Sequence, residues 1–209
     1  MSATDSALEP TVTVAELNRL FLALVDQPER SDASGIDAGG RPRFGLHPED
    51  LEGVRALPAH AKARLAAAPV ALFTFAVDAR AFRARYERSL DPEAWLCPVN
   101  LHARHALCLT ALFGAWQLAR RHPDWLELGF GLAGSEVELL RELPLSRLPE
   151  LAPGAAATLS ARFASGSRFW PLALRVAGHD DPDALRIAAL ASLHLAGAEL
   201  TATARAAHA

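Results

Sequence analysis

Of the 21 basic side chains in this chain of 209 residues, only Lys62 is a lysine, and the other 20 are arginines. That preference, together with the abundance of Ala, Leu and Pro, matches a GC-rich bacterial coding bias. Set against 24 acidic residues, it leaves a net charge of −3. No global basic field exists, which weighs against autonomous high-affinity nucleic-acid binding and leaves room only for a local patch. There are two cysteines, Cys97 and Cys108, too few for a disulfide scaffold. The longest largely apolar run, Ala66 to Val77, covers 12 residues and contains Pro69 and Thr74, too short to span a bilayer. The opening "MSATDSALEP" has no basic residue and no apolar run, so no signal peptide is expected. These absences point to a cytoplasmic protein with no membrane partner. Motifs of the G-x-S-x-G, H-E-x-x-H and C-x-x-C kinds are also missing, which leaves nucleophilic catalysis without support. "GFGLAG" follows a helical pattern rather than a strand, outside any βαβ frame, and does not read as a nucleotide loop. The expectation is a non-enzymatic chain needing no cofactor.

What the chain does have is hydrophobic content, 51%, enough for a core. It also has a repeat. "GLHPEDLEGVRALPAHAKARLA" (45–66) lies without a gap over "GLAGSEVELLRELPLSRLPELA" (131–152), with eight identities in 22 positions. Gly45, Leu46, Glu52, Arg55, Leu57, Pro58, Leu65 and Ala66 match Gly131, Leu132, Glu138, Arg141, Leu143, Pro144, Leu151 and Ala152. Around each copy the expected order is helix, short helix, turn, short helix, strand, helix. The first helix covers Thr11–Val25, with Thr11 or Thr13 as cap, and a mobile loop follows over 26–43. Pro48 and the acids after it open a helix to Ala56, which Pro58 ends. A second short helix reaches Ala67, then come a strand over Val70–Val77 and a helix from Asp78 to Leu90. "DPEAWLCPVN" marks the domain boundary, giving modules 1–92 and 93–209. The second module opens with a buried helix over Leu101–Arg121. Ser135 caps its short acidic helix, a strand covers Ala157–Ala164, and "FWPLALRV" gives a second strand. Asp181 and Pro182 begin a final helix of about 25 residues. The fold class is therefore mainly α with short β-strands, built as two similar helical modules from an internal duplication and packed as a pseudo-dimer.

The second module, from Asn100 to Ala164, is similar in layout to FlhD, a subunit of the bacterial flagellar master regulator. The features that carry the likeness are a long apolar helix, a Leu128–Gly129 turn, a short acidic helix, the pattern Leu143, Pro144, Leu148, Leu151, Ala152, and a strand ending in Arg162 and Phe163. The first module carries a looser form in "LNRLFLALV", "GLHPEDLEGVRALP" and "LFTFAV". The resemblance implies a mainly helical protein that pairs, and that regulates transcription with a DNA-binding protein partner. It also allows a homo-oligomer.

Two constellations bear chemistry. Arg80, Arg83, Arg85 and Arg88, with Phe82 and Tyr86 between them, present cations either to phosphate or to an acidic partner. The plainer alternative is an amphipathic helix that buries the two rings. Cys97, His102, His105 and Cys108 follow a C-x4-H-x2-H-x2-C spacing whose ligand types suit zinc. Three of the four would lie along one helix, however, over roughly 9 Å, and a buried helix with a small apolar Cys108 reads equally from these residues. The acids Glu49, Asp50, Glu52, Glu136, Glu138 and Glu142 form either a docking face or solvated helix surfaces. Trp116 belongs to the core, while Trp95 and Trp170, near prolines and loops, are either partner anchors or seals between modules.

The leading function is a regulator or adaptor acting through a protein partner, with DNA reached through that partner. The alternative is an accessory subunit of a larger assembly, where the strands at Val70–Val77 and Ala157–Ala164 pair with a partner peptide. The third reading is a small metalloprotein. On the first, reversing charge at Arg83 and Arg88 abolishes complex formation while the circular-dichroism melting curve stays unchanged. Unaltered binding excludes the arginine cluster as the contact.

Overall fold

The computed structural model describes residues 3–27, 42–77, 82, 103–164, 168–179 and 181–207. The described chain is mainly helical: α1 (Ala3–Asp26), α2 (Pro48–Ala56), α3 (Ala59–Ala66), α4 (Ala103–Arg121), α5 (Pro123–Phe130), α6 (Gly134–Glu142), α7 (Leu148–Thr158), α8 (Phe169–Gly178) and α9 (Pro182–Ala207). Two short strands, β1 (Phe73–Thr74) and β2 (Ser160–Ala161), pair in a two-stranded sheet. The expected loop over 26–43, the helix over 79–90 and the join at 92/93 fall almost wholly outside the described residues. No described helix is long and apolar enough to cross a membrane.

Packing divides the chain into two compact units, residues 1–73 with 160–209 and residues 74–159. This grouping differs from the sequential halves 1–92 and 93–209. The last two helices, which follow the second repeat copy, pack with the first copy.

In the first unit α1 packs on α2 and α3, while α8 packs on α2, α3 and α9. The α1 face of Val14, Leu17, Phe21, Leu22 and Val25 is buried, and Phe21 packs against Phe44 and Phe73 at ring-centroid distances of 5.6 and 5.4 Å. Asn18 occupies the middle of that apolar face with 0% exposure. Its Oδ1 accepts the Leu72 N–H at 2.8 Å, and its Nδ2 donates to the Ala66 and Val70 carbonyls at 3.2 and 3.0 Å. The amide thereby satisfies the buried backbone between α3 and β1, which has no ladder of its own there. The run Val70–Phe73 is wholly buried, yet only two residues of the expected strand pair. Apolar continuity signals burial, and here burial is met by an extended segment rather than a longer sheet.

In the second unit α4 packs on α5, α6 and α7. Its buried stripe is Leu107, Cys108, Ala111, Leu112, Ala115, Leu118 and Ala119. Mostly small side chains let the neighbouring helices approach closely.

The two repeat copies, one in each unit, share a local backbone course. Gly45 and Gly131 both take left-handed geometry, φ 72° and 70°, which glycine adopts without Cβ strain. The following leucines, Leu46 and Leu132, are each 1% exposed. The helices α2 and α6 then end alike, with ψ 134° at Leu57 and 132° at Leu143, each just before proline. The courses part after that. Pro58 leads directly into α3, whereas a 3-10 turn over Leu145–Arg147 precedes α7.

Several expected boundaries move. α1 starts at Ala3, not near Thr11, and the Ala, Leu and Glu types before Pro10 favour helix. The Leu128–Gly129 pair is helical within α5, and the turn falls at Gly131. Gly129 is glycine for another reason, since a Cβ there would lie 2.5 Å from the Trp125 ring. α6 is capped by Glu136, whose Oε2 accepts the Ala133 N–H at 2.7 Å, rather than by Ser135. α7 runs through Thr158 and shortens the expected second strand to Ser160–Ala161. The stretch "FWPLALRV" is helical in α8. Pro171 sits in its first turn, where no N–H is needed, and Phe169, Ala173, Val176 and Ala177 share the buried face. The Asp181 cap holds, with Oδ1 accepting the Asp183 N–H at 2.9 Å.

Replacing Asn18 with leucine leaves three buried backbone groups without partners. We expect a loss of about 2–4 kcal/mol in denaturant unfolding with an unchanged m-value. A loss below about 0.5 kcal/mol means that the amide is replaceable.

Candidate functional site

Four of the described basic residues, Arg43, Lys62, Arg64 and Arg120, reach helix C-termini, where the last carbonyls lack helical partners. Arg43, 1% exposed, donates from Nη1 to the Gln27 carbonyl at 2.7 Å and from Nη2 to the Leu24 carbonyl at 3.1 Å, closing α1. Lys62 pairs with Asp26 at 2.8 Å and donates to the Arg55 carbonyl at 3.3 Å, in the last turn of α2. Arg64 directs Nε and Nη2 onto the Ala177 carbonyl near the end of α8, at 3.2 and 2.7 Å. Arg120 donates to the Arg141 and Leu143 carbonyls at the end of α6, both at 3.3 Å. A cation at a C-terminus also offsets the helix dipole.

The Arg120 corner is the most developed polar site among the described residues, and it lies wholly in the second unit. The Arg120 guanidinium stacks on Trp116, 3.8 Å from the ring centroid, and the Trp116 indole N–H donates to the Leu143 carbonyl at 2.8 Å. Both side chains reach from α4 to the same helix end. Beside them Arg120, Glu138, Arg141 and Glu142 line a polar depression of about 490 Å³. Trp116 is half-buried, whereas Arg120, Glu138, Arg141 and Glu142 are all exposed. Two cations and two anions on one surface match a partner that itself carries both signs better than a uniform polyanion. Sequence reasoning grouped Arg120 with Arg121 as an extension of the Arg80–Arg88 surface, whose arginines lie outside the described residues. The signal was its position one helical turn after Trp116, which puts the pair on one face.

The first unit holds an apolar cavity of about 160 Å³ under α8 and α9, lined chiefly by Leu65, Phe169, Ala173, Val176, Leu185 and Ala189, with Arg64 at its edge.

The sequence-derived candidates separate. Arg80, Arg83, Arg85, Arg88, Cys97 and His102 lie outside the described residues, and Phe82 between the arginines is helical and buried. His105 is half-buried on α4, and Cys108 three residues on is 0% exposed. Burial pushes the Cys108 thiol up to about 12, against the opposing charge of Arg104. Among the described residues no group of three or more His, Cys, Asp or Glu side chains is placed to hold a metal. Trp170 is 1% exposed and donates to the Arg162 carbonyl at 2.8 Å, so it is a core residue and not a partner anchor. The acidic set divides as well. Glu136 is internal: its Oε1 accepts the Val77 N–H at 2.7 Å, and its other oxygen caps α6. Glu49 and Glu52 are exposed, while Asp50 is nearly buried.

No protein-family model, curated protein or solved structure matches this chain.

Burial holds the Asp50 carboxyl above its ordinary value, reinforced by Glu49 and opposed by His47. An acid with a raised folded-state pKa contributes stability at low pH that is lost as pH rises through that pKa. Asp50→Asn therefore raises the urea midpoint at pH 7, and the advantage disappears below about pH 3.5, where both side chains are neutral. An advantage that grows on acidification contradicts the assigned shift.

Proposed function

We propose that this chain is a non-enzymatic regulatory or adaptor subunit of the FlhD-like kind, acting on transcription through a protein partner that supplies most of the DNA contact. The observation that carries this reading is the Trp116–Arg120 corner with its mixed-charge depression. Tryptophan and arginine anchors held rigid by backbone carbonyls, with exposed charges of both signs around them, match the composition of protein-binding hot spots. The shared course of the two repeat copies supports an origin by duplication, and the FlhD-like reading rests on the same segments. Arg80, Arg83, Arg85 and Arg88 remain the residues assigned to DNA or to the partner's acidic surface. The expected setting is the bacterial cytoplasm.

The test is affinity purification of the tagged full chain from its native host, beside a Glu138→Lys, Arg141→Glu double variant. The wild-type chain should bring down one stoichiometric partner, and the pair should retain promoter DNA with a steep salt dependence. The double variant, altered only at exposed positions, should lose the partner at least tenfold with an unchanged melting curve, an effect of about 1.4 kcal/mol or more. Equal recovery of the partner by the double variant refutes the assigned surface. A pair that retains no DNA at low salt replaces the regulator with an accessory subunit of a larger assembly.

A further inference from the structure

α9 is 26 residues long, yet among its described side chains only Ser192 and Ala196 are fully buried. It packs on α8, and Glu199 reaches Arg162 at 2.9 Å. At 100° per residue, Leu185, Ser192, Ala196 and Glu199 fall on one side of the helix. The opposite side carries Asp183, Ile187, Leu190, His194, Ala198, Thr201 and Arg205, all exposed. Ile187 and Leu190 are 61% and 66% exposed, two of the four large hydrophobic side chains left in solvent among the described residues. The spacing 183, 187, 190, 194, 197, 201 alternates in steps of four and three, the seam of a helix pair.

The seam is self-complementary when inverted. His194 is its midpoint, eleven residues from Asp183 and eleven from Arg205. Turned antiparallel about that point, Asp183 of one helix meets Arg205 of the other, twice by symmetry. The bulky half, Ile187 and Leu190, meets the small half, Gly197, Ala198 and Thr201. A Cβ at Gly197 would meet nothing within 4 Å, so the small half is open space in the single chain. A parallel pairing instead sets Asp183 against Asp183 and leaves the small half facing itself.

We propose that the outer face of α9 is the seam of an antiparallel homodimer, and that its occupant is α9 of a second copy of this chain. Between Asp183 and Arg205 the seam runs about 33 Å. A single helix pair of that length buries on the order of 1,000 Å², at the low end for specific association, so the dimer is expected to be a weak one. This surface belongs to the first unit and does not depend on the Arg120 corner.

Sedimentation equilibrium of the full chain from about 1 to 200 µM reads the association directly. The wild-type chain should pass from monomer to dimer across that range. Leu190→Glu should raise the dissociation constant at least about 30-fold with an unchanged melting curve, as expected of a central apolar anchor. Asp183→Arg and Arg205→Asp should each weaken the dimer roughly fivefold, and the double charge swap should restore it, since its pairs are again opposite. A chain that stays monomeric to 200 µM overturns the proposal, as does a dimer indifferent to Leu190→Glu. A dimer weakened by each single swap and not rescued by the double overturns the antiparallel register.

Discussion

One side-chain amide organises the first unit. Asn18 projects from the apolar face of α1 and takes up the backbone of the segment that joins α3 to β1. That segment is wholly buried from Val70 to Phe73, and before the short pairing at Phe73 its polar groups need partners that no helix supplies. Because the hydrogen bonds of Asn18 are desolvated, losing them exposes backbone groups to a medium that cannot hydrate them. Asn18 thereby ties α1 both to the end of α3, at the Ala66 carbonyl, and to the approach to β1, at Val70 and Leu72. Arg162 holds a related position further along: its N–H meets the Leu72 carbonyl, its own carbonyl meets Trp170, and its guanidinium meets Glu199. Burial holds its pKa below the ordinary arginine value, and the Glu199 carboxylate opposes that shift.

Arginine use follows a second constraint. Short helices joined by tight turns create many unsatisfied carbonyls, and a guanidinium reaches them with several donors on a planar head. Arg43, Arg64 and Arg120 each serve a helix end in this way, two of them with a ring nearby: Arg43 lies 5.1 Å from the Phe44 centroid and Arg120 3.8 Å from Trp116. At the Trp116–Arg120 corner both side chains converge on the Leu143 carbonyl, so one helix end fixes the place of an indole and a guanidinium together.

Local chemistry was legible in the sequence at several helix ends, though not at Ser135 or at the Leu128–Gly129 pair. Pro48 with Glu49 and Asp50 announces α2, the Leu-Pro pairs end α2 and α6, and Asp181–Pro182 opens α9. Long-range packing was not. "FWPLALRV" mixes strand formers with the helix formers Leu, Ala and Arg, and its packing against α2 and α3 buries one helical face of it. Asn18 looks like one polar residue in an amphipathic helix, although its spacing of four from Val14 and three from Phe21 already puts it on the buried face. Nothing local tells that residues 160–209 pack with residues 1–73. The candidate site was legible in part: Glu138, Arg141 and Glu142 stood out as charges on a short helix, while Arg120 gains meaning only when α4 lies against the end of α6.

The dependence of the first unit on Asn18 is tested most directly by native-state hydrogen exchange at the Leu72 amide, whose proton lies on Asn18 Oδ1. If the amide is the organising contact, Leu72 exchanges only through global unfolding, with the free energy and denaturant slope of the whole unit. Exchange of Leu72 by a low-energy local opening, independent of denaturant, contradicts the account.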